Sequence, residues 1–525
     1  MRKRICGKAK YVLPVVIFLA CLTVSVGVYA LYGQHNLDSD ISSEFVLAQL
    51  LNEEGRFFLT DSWYYSTELR VVSPVPVYQI MLRLFDTWHG ARTASIAVLL
   101  CGVALSLVYM ARGFGVSFTA AMLCASALIL PITEYQSFTL VYGGFYTVCV
   151  MLTFVQIGLV LRMGKKRLLE PILLVLLGVY GGLNGVRMLM ICLAPLLAAA
   201  AINLYLEARK CESLRGLLAL PAFPLFAGSL LLAAATMAGY MINTDVLAEA
   251  YDFAQYGETS LCALSPEMLT DQLICLMAFF GYRNNVLLLS LEGVVSVLAV
   301  LLPILGVSAM ILLLRMPLSS RERLAAIFAP IALGLGILIN VLTLIEDHAV
   351  PLPYTVSYYM PAALLLIFSL FWVFDRFACR MKWMRVVPML ALVGVFLVGN
   401  AAYRDNDMNT YETELENIAQ YLLDEDCVQG YATFWNANVL TEITDGEIDV
   451  YTVEDWKYGD YNEWLQRKDH EGWEPVGGIF AIYSADDYAN GVPGCEEERL
   501  IYASDTLCVA IYDSHEDFLA AREGN

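Results

Sequence analysis

Three carboxylates stand close together in the stretch Asp38-Ser39-Asp40-Ile41-Ser42-Ser43-Glu44. A carboxylate within hydrogen-bond reach of a hydroxyl can take its proton as a general base. The residues that follow set the geometry. Phe45, Ala48 and Leu51 recur at three-residue steps, so Ile41 to Glu54 suits an amphipathic helix, and Gly55 is a natural C-terminal stop. On such a helix Asp40 marks the beginning and Glu44 lies one turn further along the same face. The competing role for an acid here is structural. Asp is a favoured N-cap, and a cap contributes about 0.5–2 kcal/mol. One Asp at a helix start reads as a cap, whereas Asp38, Asp40 and Glu44 together read as a candidate catalytic group. Paired acids can also hold a divalent cation through oxygen ligands, although no dedicated cage is visible. The 13 cysteines form no zinc-type spacing with histidine.

The elements that must position these acids lie in a membrane protein. Hydrophobic residues make up 58% of the 525 and charged residues 16%, against roughly 25% charged in soluble domains. The formal charge of −20 argues against nucleic acid, where basic residues supply most of the affinity. Apolar runs long enough to cross a bilayer, about 20 residues each, fall at 11–32, 94–111, 116–133, 139–161, 168–183, 187–206, 217–241, 286–314, 323–345, 355–374 and 384–402. The first run exceeds the roughly 7–15 apolar residues of a signal peptide, so an uncleaved span is expected. With the N-terminus in the cytoplasm, the loops on that side hold 20 Lys and Arg against 5 Asp and Glu, and the remaining chain holds 12 against 47. The positive-inside rule favours that orientation.

Three segments of useful length then lie outside: 33–93, which carries the acids, 242–285, and a tail from 403. The expected organisation is a membrane domain over 1–403 and an extracytoplasmic soluble domain over 404–525. The tail has a helical pattern at Asp407–Leu423. Strand-like runs follow at Gly430–Phe434, Ile448–Val453, Val476–Tyr483, Leu500–Ala503 and Leu507–Tyr512, the last two joined by a hairpin turn at Ser504-Asp505-Thr506. The fold class expected is a polytopic α-helical membrane protein of about eleven transmembrane helices with a C-terminal α/β or α+β domain. Cys427, Cys495 and Cys508 of the tail leave room for one disulfide.

An outer loop directly after the first span, with an acid opening an amphipathic helix, resembles the GT-C superfamily of integral-membrane glycosyltransferases. That superfamily includes protein O-mannosyltransferases and lipid A aminoarabinose transferases. Asp40, Ala48 eight residues on, and Gly55 match the loop pattern; Ile41 stands where many members have a second acid. Before the tenth span, Val356-Ser357-Tyr358-Tyr359 has Ser where the family often has Arg. The resemblance implies a sugar donor carried on polyprenyl phosphate, an envelope glycan, lipid or protein acceptor, and transfer at the outer face, with Asp40 as base and Glu44 and Asp38 beside it.

Within that reading, Trp63, Tyr64 and Tyr65 can stack on a sugar ring, or anchor at the interface as membrane aromatics do. Arg70, Arg92, Arg187 and Arg283 are the outer cations available to a leaving phosphate. Arg187 sits near Asn184 at the edge of the sixth span, where a charge is a functional hypothesis and a snorkelling side chain the plain alternative. Glu68 can pair with Arg70. Tyr135, Gln136, Asp347, His348 and Tyr358 sit in outer loops that can border the same cleft. A transporter or flippase for an envelope precursor is the alternative, but most span centres lack charges and no repeated halves are visible. A surface-binding membrane protein, with the tail as binding module, is the third reading.

Overall fold

The computed structural model describes residues 2–66, 69–142, 144, 146–164, 168–209, 211, 213–252, 265–343, 356, 358–378, 381–403, 410–454, 456, 461–495 and 497–523. Four helices open the chain: α1 (Arg2–Tyr32), α2 (Ser39–Glu53), α3 (Val75–Leu82) and α4 (Trp88–Gly113). The apolar runs are helical because a helix satisfies every backbone donor within its own segment, as hydrocarbon requires. Among the described residues eight helices are long and apolar enough to cross a membrane. They include Tyr11–Tyr32 of α1, all of α4, and Leu291–Arg315. A further apolar helix pair, Glu134–Tyr142 and Thr147–Val160, is bent by 77° at a short break. Gly144 lies in that break in the left-handed region, φ 63°. Phe118–Leu128 and Leu169–Gly182 are apolar but only 11 and 14 residues long, short of the roughly 17–25 of a full span. The eleven expected crossings therefore appear as eight full-length helices, one bent pair and two short helices.

Contacts between loops sort the two ends of this bundle. At one end Asp375 accepts from Ser117 and pairs with Arg385, Arg376 pairs with Glu322, and Arg323 pairs with Glu207 at 3.3 Å. These are the loops counted above as basic. At the other end Asn243 donates to the carbonyls of Leu69 and Leu183, and Arg283 pairs with Glu134 at 3.1 Å. The acids around residue 40 lie at this second end.

The C-terminal region forms a five-stranded mixed sheet. β1 (Trp63–Tyr64) belongs to the first loop; β2 (Gln429–Thr433), β3 (Asp449–Val453), β4 (Gln466–Arg467), β5 (Ile479–Ser484), β6 (Leu500–Ala503) and β7 (Leu507–Tyr512) follow. The sheet order is β3-β2-β5-β7-β6. β2 is parallel to β3 and β5, and β7 is antiparallel to β5 and β6. The expected strands and the closing hairpin are all present. The helix Thr410–Asp424 buries Leu415, Ile418, Ala419 and Leu422, as its spacing requires; 407–409 lie outside the described residues. Cys427, Cys495 and Cys508 are buried free thiols, so the disulfide left open above is not formed.

This sheet is stitched to the first loop. β1 pairs antiparallel with β4, Trp63 opposite Arg467 and Tyr64 opposite Gln466. The Lys468 amide donates to the Ser62 carbonyl at 3.0 Å, the Trp88 amide to Asp445 at 2.7 Å, and the Tyr64 hydroxyl to Glu471 at 3.2 Å. The helix Phe434–Ile443 packs directly on α2. In consequence α2 is buried on almost every side, including Ser39, Ser42 and Ser43 as well as Phe45, Ala48 and Leu51. The amphipathic reading missed this because the polar side of the helix is covered by the C-terminal region rather than by water.

Candidate functional site

The carboxylate group is built from the start of α2. The cap is Asp38, two residues before the position expected: its backbone is extended, and its side chain accepts from the Ile41 amide at 2.8 Å. Asp40 is thereby released from capping and sits in the first turn. Glu44 follows one turn later on the same face. At the far end Gly55 takes φ 68°, and the Gly55 and Arg56 amides donate to the carbonyls of Asn52 and Leu51. That is a Schellman stop, with glycine required at the left-handed position. The helix is thus fixed at both ends.

Three arginines surround the acids. Arg92 is fully buried in α4, beneath α2. It forms a two-pronged ion pair with Glu442 of the Phe434–Ile443 helix, one arm at 2.7 Å, and donates to the Ile41 carbonyl at 3.3 Å. Its guanidinium also lies over the rings of Phe45 and Tyr78, 4.4 and 5.1 Å from their centroids. Arg187 lies over the Tyr146 ring at 4.9 Å, and Tyr146 meets Tyr358 edge to face at 6.3 Å. Arg70 interacts electrostatically with both Asp40 and Glu44.

Burial dominates the electrostatics. It pushes the Glu44 carboxyl up to about 7, with Arg70, Arg92 and Arg187 pulling it down and Asp40 pushing it further up. Burial likewise raises Asp38 to about 7, helped by the charge of Asp40. Asp40 is raised by burial, and Arg70 opposes that rise. Asp40 and the two groups around pH 7 therefore form a coupled set with separated roles. Among the described residues, the buried polar atoms of this region without a hydrogen-bond partner in the protein include Glu44 Oε2, Arg70 Nε and Asn184 Oδ1, with Ser39 Oγ and Ser42 Oγ beside them on α2. Native proteins leave few such groups, so each marks a place where water or a ligand can supply the missing bond. The arrangement can accept a proton from a hydroxyl and stabilise a departing anion. Among the described residues no three His, Cys, Asp or Glu side chains are disposed as metal ligands.

The other residues singled out in the sequence divide. Asn184 is buried and donates to Cys149 Sγ at 3.4 Å. Gln136 is buried and closes its own loop, accepting from the Ile132 amide and donating to the Leu128 carbonyl; Tyr135 packs against the core. Trp63, Tyr64 and Tyr65 are buried against the C-terminal region and their own loop, with the Tyr65 hydroxyl bonded to Thr60. Glu68, Asp347 and His348 lie outside the described residues. Sequence reading missed Glu442, Tyr146 and Tyr78. Glu442 did leave a signal, a carboxylate inside the apolar helical run Val439-Leu440-Thr441-Glu442-Ile443.

No protein-family model and no curated protein matches the sequence. Among solved structures, the crystal structure of ArnT from Cupriavidus metallidurans bound to undecaprenyl phosphate is similar. The match has a TM-score of 0.55 at 14% identity and covers 95% of this chain and 97% of that one. The likeness spans both the helical bundle and the C-terminal sheet region. The chain is therefore a multi-pass membrane protein whose fold is like that of ArnT.

Proposed function

We propose that this protein is a membrane glycosyltransferase that moves a sugar from a polyprenyl-phosphate-linked donor to a cell-envelope acceptor at the outer face of the plasma membrane. The observation that carries the reading is the convergence of Asp38, Asp40 and Glu44 with Arg70, Arg92 and Arg187 at one end of the bundle. The undecaprenyl phosphate bound by the ArnT structure supports a lipid-phosphate donor for a chain of the same fold.

In this mechanism Asp40 takes the proton of the acceptor hydroxyl as the oxygen attacks the anomeric carbon. The bond from that carbon to the lipid phosphate breaks, and Arg187 and Arg70 stabilise the phosphate as it leaves. Arg92 is already committed to Glu442 and positions α2. Glu44 sets the field around Asp40. Burial raises Asp40 and so makes it a better proton acceptor than a free carboxylate, which suits a general base. Both reacting partners reach the site from the lipid side and the aqueous side of the outer face.

The test is to offer the purified protein a panel of radiolabelled polyprenyl-phosphate sugars with extracted envelope acceptors. Transfer or slow hydrolysis of at least one donor is expected. Inertness toward the whole panel, with saturable binding of an unmodified lipid-linked precursor and its movement across a vesicle membrane, would instead establish the flippase alternative.

A further inference from the structure

Behind α2, on the face opposite Glu44, lies a cavity of about 190 Å³. A single water needs only about 10–15 Å³ on this scale. The floor is α2 itself, through Val46 and Gln49, with Glu53 at the exposed rim. The walls come from the C-terminal region, through Asn438, Thr441 and Arg467. Trp63 and Trp88 close the sides. Trp63 is fully buried, yet its indole Nε1 has no hydrogen-bond partner.

The lining chemistry narrows the ligand. His470 also lines the cavity and is hydrogen-bonded to Asp449 at 3.0 Å. Although burial raises it, Asp449 is brought below the usual carboxylate range by that hydrogen bond and charge and by Arg467. Asp449 therefore stays ionised, and Glu53 and Asp445 also line the cavity. Three carboxylates against Arg467 and one histidine make the cavity hostile to phosphates and uronic acids. Amides, a hydroxyl, carboxylates and an arginine offer both donors and acceptors at short range, and the half-buried Trp88 indole supplies apolar area. A sugar ring needs that combination: each hydroxyl both donates and accepts, and its C–H faces pack on aromatic rings.

We propose that this cavity is a binding site for a neutral or amino sugar, separate from the carboxylate group on the other face of α2. An occupant would touch α2 and the C-terminal region at once, and so would report on the helix that carries Asp40. The inference rests on the cavity and not on the transferase reading, because binding is measured without any lipid-linked donor.

The experiment is saturation-transfer NMR on the full-length protein in nanodiscs, titrated with free glucose, galactose, mannose, N-acetylglucosamine and glucosamine, and with glucose 6-phosphate as the anionic comparison. At least one neutral or amino sugar should saturate, with a Kd on the order of 1 mM for so small a ligand. Gln49→Leu and Thr441→Leu should each weaken it at least about tenfold with the thermal midpoint retained. Asp40→Asn should leave binding unchanged. Absence of saturation by every sugar would overturn the proposal, as would binding untouched by both cavity variants, tighter binding of glucose 6-phosphate, or loss of binding in Asp40→Asn.

Discussion

At the scale of single residues, the site separates a helix cap from a candidate base. Asp38 holds the end of α2 and Asp40 does not, so Asp40→Asn leaves the cap intact. That variant is expected at normal membrane levels with transfer reduced at least about a hundredfold; near wild-type transfer would remove Asp40 from the reaction. Asp38→Asn keeps a good capping residue and should lose far less. The raised carboxyls make a second expectation. Glu44 titrates at about 7 in the folded protein and near 4.3 unfolded, so the folded state binds the extra proton. Stability from this group is then present at acid pH and is lost as pH rises from about 4 to 7. Glu44→Gln should be more stable than wild type above pH 7 and equal to it below about pH 4, measured by thermal unfolding in detergent. The same substitution should erase an inflection near pH 7 in kcat/KM. If Asp38→Asn erases it instead, the titrating group is Asp38. The spacing Asp38, Asp40, Glu44 made these acids legible in the sequence. Which of them capped the helix was not, because a shift of two residues in a helix start changes no pattern of apolar residues.

At the scale of elements, α2 lies between a membrane helix and a C-terminal helix, and a fully buried ion pair crosses that joint. Arg92 and Glu442 are both buried, and each is the other's compensation. Removing one leaves a bare charge, which typically costs about 3–5 kcal/mol, whereas replacing both with apolar groups is often close to neutral. Arg92→Met should therefore loosen the C-terminal region, seen as faster proteolytic release of the segment after residue 403. Arg92→Met with Glu442→Leu should restore much of the protection. Equal sensitivity of single and double variants would mean that the pair does not hold the two parts together. The strands and the helix Thr410–Asp424 were readable because alternation and three-to-four spacing act over a few residues. The β1–β4 ribbon was not. Two residues on each side carry no periodicity, and Trp63-Tyr64 looked like an interfacial anchor because Trp and Tyr serve both purposes equally well.

At the scale of the whole molecule, the apolar runs were legible because each satisfies its own backbone. The bend between Tyr142 and Thr147 was not, because a hydropathy window averages over a break of a few residues. The sorting of loops gives a topology expectation. Ser117, Glu207, Glu322 and Asp375 share one end with the arginines that pair with them or lie beside them. By the positive-inside rule that end faces the cytoplasm. A phosphatase that is active only outside, fused after residue 410, should be active, and the same reporter fused within the loop around residue 317 should be silent. Activity at the second position would invert the assignment.

The ion pair between Arg92 and Glu442 joins residues 350 apart in sequence. At a synthesis rate of about 5–20 residues per second, roughly 18–70 s separate the emergence of the two partners. During that interval the first loop already stands at the membrane surface with its acids and its arginine, but without the sheet that covers α2. A nascent or truncated chain therefore carries the reactive groups in an unassembled state, open to water and to any chaperone that shields buried charge. Competence arrives only when the last hundred or so residues have been translated and folded back onto the first hundred. The order of biosynthesis thus completes the surroundings of α2 last.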